Sequence, residues 1–444
     1  MVSEQELLLR LPGGQGEWQR VAPGLTLGLR DRLLALPTFR PMITLSAGVT
    51  IQLLPETLLE LEGNDPAGIP IVRLEYGRLV MMTAGKPDVR VKLILGDTAG
   101  TLTFFDPEST AAIEVRPMLV PGVDPQTGPP KTVVAVYATV GQIDWSGALG
   151  AAGNARAVAT ASSPTVLPVG GKLTAPSRVL LAGAPADVSG GEHELPRWVA
   201  SEPINPLDSR ASQTLNQSLD GKNSVTVALK DLVEHRRAEN RSLAARSLAL
   251  IDEFDPFVAL LNDADQRAVW PIEIESLQAA VARGPVSAGK VRAMFEKERG
   301  KEGDDLYRLL WGYNKDQLQS GSARILVDYL DNDALDFRVL SFHNLQKIVG
   351  KTFDYRPEAT AANRAQPVRR WRDQLQEGLV VPKGSVPSKT PATSAKASDS
   401  PKESDSARGL LPVEPTPGGE PIPPVAAPPV SPAKIPPPPI PGRP

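Results

Sequence analysis

The segment Gly284-Pro-Val-Ser-Ala-Gly289-Lys290 has the G-x-x-x-x-G-K spacing of a phosphate-binding loop, in which backbone N–H groups and a lysine cradle a nucleotide. That chemistry needs a hydroxyl at the next position to hold magnesium, and Val291 stands there. It also needs a strand ahead of the loop, whereas Ser276 to Arg283 reads as a helix. The segment therefore reads as a turn between two helices, with Lys290 on the second.

Histidines number three, His193, His235 and His343, and lie far apart. A serine hydrolase would need a base near a nucleophile on a strained turn, and no G-x-S-x-G occurs. His193, in Gly191-Glu-His-Glu194, reads as part of a solvated loop, and His343, in Ser341-Phe-His-Asn-Leu345, as a helix-packing residue. The acidic clusters Asp252-Glu-Phe-Asp255 and Asp331-Asn-Asp333 have the carboxylates of a calcium loop. That loop demands glycine at its sixth position and glutamate at its twelfth, where Asp336 and Phe342 stand when counted from Asp331. Helix capping accounts for both clusters. The basic-aromatic group Arg369, Arg370, Trp371 and Arg372 could grip an anionic surface. The simpler reading places Trp371 on the last helix as a cap that packs on Val339, Leu340, Leu345, Ile348 and Val349. The sequence thus offers no catalytic, cofactor-binding or metal-binding set, and no cofactor.

The 444 residues carry 48 basic and 51 acidic side chains, a net charge of −3. Nucleic-acid binding draws on a concentrated positive field, so this balance argues against it. Cysteine is absent, which removes disulfide and thiolate chemistry. No stretch approaches the roughly 18 apolar residues of a membrane helix, and Leu7, Leu8 and Leu9 are too short a run for a signal peptide. An export or anchoring segment, if the protein works outside the cytoplasm, is expected upstream of Met1.

The elements that must carry these residues fall into five stretches of different texture. Residues 1–23 read as a lead segment. From 24 to 197, period-two runs such as Val49–Leu53, Val72–Tyr76, Val89–Leu93 and Val133–Val140 alternate with glycine turns, the mark of a short-stranded all-β domain. Residues 198–223, with Glu202-Pro-Ile-Asn-Pro206, read as a linker. From 224 to 378 the period becomes helical, with amphipathic segments over 273–283, 288–299, 304–313, 323–330 and 335–349. Ser287 and Asp333 are expected as helix caps, and short helices in series suggest stacked pairs of the α-solenoid kind. Residues 379–444 hold 19 of the 45 prolines and read as a disordered tail.

Two stretches resemble known families. Leu25-Thr-Leu-Gly-Leu-Arg-Asp-Arg-Leu33, Ile43 to Leu61, Leu74-Glu-Tyr-Gly-Arg-Leu-Val80, Ala112-Ile-Glu-Val115 and Val140-Gly-Gln-Ile-Asp144 together resemble the FecR domain. Leu326-Val-Asp-Tyr-Leu330, Phe337 to Leu345, Val349-Gly-Lys351, Tyr355-Arg-Pro357, Arg364 and Trp371 resemble a terminal HEAT-like repeat of bacterial envelope proteins. The first resemblance implies a β-solenoid or sandwich that senses or anchors in signal transduction at the bacterial envelope, in a periplasmic or other extracytoplasmic setting. The second implies a face for a protein partner, with Arg338 reaching loop carbonyls and Gly350 ending a helix. The fold expected is β plus α multidomain, non-catalytic, with a glycan-binding accessory protein as the alternative. Exposed aromatics at Trp145, Tyr137 and Tyr76 would mark that alternative. The FecR-type regulators lack a helical domain like this one.

Overall fold

Alternating strands bury one face each, and the period-two runs do so here: Val49–Leu53 and Val89–Leu95 both point every second residue inward. The computed structural model describes residues 6–128, 131–148, 171–174, 177–182, 195–199, 206–220 and 224–381. In it a mixed β-sheet domain precedes a helical region. The strands are β1 (Leu8–Leu11), β2 (Gln19–Arg20), β3 (Arg32–Ala35), β4 (Met42–Leu45), β5 (Val49–Leu53), β6 (Thr57–Asn64) and β7 (Pro70–Thr83). They continue as β8 (Val89–Leu95), β9 (Thr98–Phe104), β10 (Thr110–Met118), β11 (Lys131–Val140), β12 (Gln142–Ala148), β13 (Gly171–Thr174) and β14 (Ser177–Ala182).

One sheet runs β13-β12-β9-β8-β7-β6-β3-β1-β2, and the other joins β4, β5, β7, β10, β11 and β14. The 14-residue β7 belongs to both. Its first half pairs with β6 and β8, its second half with β5 and β10, and Gly77 marks the change. Gly77 has φ +105, and a Cβ there would stand 2.5 Å from Thr57 Cα. Only glycine permits this crossing. Between the sheets lies one apolar core, including Leu33, Ile51, Leu74, Val91, Phe104, Ile113 and Trp145. All described pairings are antiparallel except β7 with β8, so the rungs of a solenoid are not seen among the described residues.

The helices are α1 (Pro206–Ser218), α2 (Val225–Val233), α3 (Ala238–Leu250), α4 (Pro256–Leu261), α5 (Trp270–Ala282) and α6 (Pro285–Arg299). Then come α7 (Gly303–Leu310), α8 (Lys315–Gln317), α9 (Ala323–Tyr329), α10 (Leu335–Val349) and α11 (Ala361–Gln376). Neighbours in sequence pack together: α2 on α3, α5 on α6, α6 on α7, α9 on α10. Gly350, at φ +75, ends α10 by donating its N–H to Gln346 at 2.8 Å. Arg338 donates to the carbonyls of Pro357, Asn332 and Asp333 at 2.8, 2.6 and 2.7 Å and ties the neighbouring loops to α10.

Several boundaries differ from the sequence reading. The segment set apart as a lead, 1–23, supplies β1 and β2 to the larger sheet. The segment read as a linker, 198–223, contains α1, whose Ala211 and Leu215 are buried against Leu9, Leu34, Leu36 and Phe39. Ser287 and Asp333 do not occupy N-cap positions, which fall to Gly284 and Ala334. The expectation of a disordered tail falls, from residue 382 onward, outside the described residues.

Candidate functional site

The residues singled out by type are scattered through the described structure. The segment read as a turn is helical from Pro285: Gly284 is the N-cap of α6 and Pro285 to Lys290 form its start, with α5 rather than a strand before it. His235 lies in the turn after α2 with Asn240 at 3.1 Å, while His193 lies outside the described residues. His343, on α10, is held by burial at a pKa of about 4, so it stays neutral. Asp255 pairs with Lys297 at 3.1 Å, and Asp331 with Arg372 at 3.4 Å. Trp371 is fully buried, edge-on to Phe353 at 4.8 Å, and its helix packs on α9. Val339, Leu340 and Leu345 share its core, but the ring it meets is that of Phe353. Among the described residues no group of three or more His, Asp or Glu side chains could hold a metal ion. No helix of the described residues is long and apolar enough to cross a membrane.

What the sequence does not announce is the seam where sheets and helices meet. One part of it is solid. Leu7, Leu9, Leu34, Leu36, Phe39 and Leu58, on the outer face of the larger sheet, interlock with apolar residues of α1, α2 and α3. The neighbouring part is bridged by polar contacts and left hollow. The loop 119–128, between β10 and β11, reaches across it: Tyr307 donates to Asp124 at 2.9 Å, Arg292 to Gln126 at 3.2 Å, and Gln317 to the Gly122 carbonyl at 3.0 Å. Burial and the Asp124 carboxylate both hold the Tyr307 phenol protonated.

Three hollows follow one another along this part. The first, about 440 Å³, lies between Trp18, Arg32 and Tyr76 on the sheet and Ile251, Asp252 and Val286 on the helices. It shares Tyr76, Pro117, Leu250 and Arg283 with a second of about 200 Å³, floored by Arg78 and Glu114. That one shares Arg116, Pro117 and Ala279 with a third of about 450 Å³, walled by Leu119, Trp311, Tyr313 and Ile348. Stacking of the Arg308 guanidinium, 3.7 Å from the ring centres of both Trp311 and Tyr313, stiffens that wall.

Asp252 organises the junction of the first two hollows. α3 ends in a double turn in which Asp252 N–H donates to Ala249 and Glu253 N–H to Leu248, at 3.2 and 3.0 Å. This closure usually places glycine where Asp252 sits, because the position is left-handed, here φ +63. The carboxylate so placed accepts from Arg283 at 2.8 Å and from Ser287 at 2.7 Å, with Lys290 at 3.3 Å. Arg283 also lies over the Tyr76 ring at 5.3 Å and donates to its hydroxyl at 3.2 Å. Burial raises the Tyr76 pKa, with Arg283 pulling the other way. The lysine and serine of the phosphate-loop lookalike thus serve an ion cluster.

Sequence reasoning missed this seam because its residues are distant: Arg32, Tyr76, Asp252 and Ser287 each come from a different element. Of the three aromatics that would mark glycan binding, Trp145 and Tyr137 are buried, while Tyr76, with Trp18 beside it, lines the hollow. The sequence matches no family model, no curated protein and no solved structure.

Proposed function

We propose that the protein is a non-catalytic interaction or signalling module of the bacterial cell envelope, and that it holds a protein partner in the hollow part of the seam. The reading joins a FecR-like sensing or anchoring domain to a HEAT-like helical domain in an extracytoplasmic setting. The observation that carries it is the run of three hollows sharing walls along the junction. A cleft between two packed elements is where ligands most often bind. Its walls mix apolar rings with arginines, the residue types that contribute most to protein interfaces. Of the three aromatics that would mark the glycan-binding alternative, Trp145 and Tyr137 are each 5% exposed and cannot stack on a sugar, and Tyr76 alone reaches an open hollow.

The test uses Ala279, exposed on α5 where the second and third hollows meet. Peptides selected by display on the whole protein are expected to lose binding to Ala279→Trp, whose ring fills the passage. Unchanged affinity for that variant would remove the seam as the binding site.

A further inference from the structure

The first hollow holds a cation that lacks an anion. Arg32 lies on the outer face of β3 and lines the hollow, and its Nε is buried with no hydrogen-bond partner. Glu60 stands opposite it across β3 and β6 but makes no ion pair with it. The remaining charges at the site do not supply a counterion. Asp252 is shared by Arg283 at 2.8 Å and Lys290 at 3.3 Å, and Glu75 is exposed at the rim. Of the charged residues lining the hollow, Arg32 and Arg283 equal Asp252 and Glu75 in number, but Asp252 is already taken up by Arg283 and Lys290. Arg32 as a whole is half-buried, and burying its Nε N–H without an acceptor is costly. Around it the walls are apolar: Leu11, Trp18, Leu58, Ile251 and Val286. Val286 is 75% exposed, an apolar side chain left standing at the mouth.

We infer that this hollow takes a carboxylate flanked by a bulky apolar group, presented by the partner protein. The carboxylate meets Arg32, and the apolar group lies between Trp18, Ile251 and Val286. A guanidinium grips a carboxylate through parallel N–H donors, which fixes orientation as well as charge. The inference rests on the reading of the seam as a partner-binding cleft and adds the chemistry that the partner must carry. Both an acidic side chain and a free C-terminal carboxylate offer that chemistry.

The experiment uses the full-length protein and one peptide from the display selection, labelled for fluorescence anisotropy. The peptide is made with its acidic residue, with the matching amide in its place, and with its C-terminus free or amidated. Arg32→Gln is expected to weaken the acidic form about tenfold or more and to leave the amide form unchanged. Arg32→Lys is expected to recover part of the loss, and added salt to weaken only the acidic form. Unaltered binding of the amide form reports that the variant is folded. Sensitivity to the side chain or to the C-terminus tells which of the two enters. Selected peptides without a required carboxylate, or equal losses for both forms, would overturn this inference and leave the partner-binding reading standing. If no peptide binds the protein at all, both fall.

Discussion

Sheets and helices meet along two stretches of the same seam, and the stretches are built by different rules. Under α1–α3, Leu9, Leu34 and Phe39 are fully buried against Leu215, Leu229 and Leu243. Beside it, between β7, β10 and α5, α6, contact is made through Arg283, Asp252, Asp124 and Gln126 around three open volumes. Protein interiors are close-packed, and a junction with only a structural task would be filled throughout. The contrast assigns cohesion to the first stretch and leaves the second open for the partner binding proposed above.

The comparison is broken most forcefully in the solid stretch. Phe39→Ala should cost about 3–5 kcal/mol and Leu215→Ala about 2–5 kcal/mol, read as lowered denaturant midpoints of the whole protein. Loss of Leu215 should matter as much as loss of a sheet residue, because α1 is part of the fold. A small shift for Leu215→Ala would return 206–218 to the status of a linker. At the far end of the helical region, Trp371→Ala should likewise cost about 3–5 kcal/mol, since its ring is 0% exposed.

Acid–base behaviour separates the helical core from the sheet core. Glu273, fully buried on α5 near Ser242 and Arg246, is raised by desolvation to a pKa of about 7 from 4.5. Its folded form binds the proton where the unfolded form has released it, so stability falls as pH rises from 4.5 to 7, by about 3 kcal/mol. His343 is shifted the other way, from 6.5 to about 4, so its contribution rises with pH across that window. The two nearly cancel between pH 4.5 and 6.5 in the native protein. Glu273→Gln should expose a rise with pH there, and His343→Gln a fall, in urea midpoints measured across the range. Identical pH profiles for the two variants would contradict the assignment.

The hollow stretch should respond least. Ala279→Trp and Lys290→Ala should each change stability by no more than about 0.5 kcal/mol, because Ala279 is exposed and Lys290 makes a half-exposed pair. With Val291 where a phosphate loop needs a hydroxyl, magnesium-ATP should give no thermal shift. A shift lost in Lys290→Ala would restore nucleotide binding.

Legibility in the sequence followed burial. Leu335–Val349 is the observed α10 although Asp336 to Ser341 are all buried, and Val49–Leu53 is the observed β5, in which every second residue is buried and the period is clean. β1 and β3 were illegible for the opposite reason. Leu33 and Ala35 face the sheet core while Leu34 and Leu36 face the helices, so the apolar run never alternates. Leu8 and Leu9 divide in the same way. α1 is polar overall, yet Ala211, Leu215 and Leu219 recur at helical spacing and could have revealed it. The seam had no such signal, because Arg32, Asp252 and Val286 come to line one hollow only through the tertiary fold.

The most direct measurement of the central claim is hydrogen–deuterium exchange of the whole protein with and without a display-selected peptide. Protection is expected over β7 and β10, the turn at Leu250–Asp252 and the start of α6, with α9, α11 and the β4 edge unchanged. Protection confined to α9, α11 or β4, with the seam unaltered, would contradict the account.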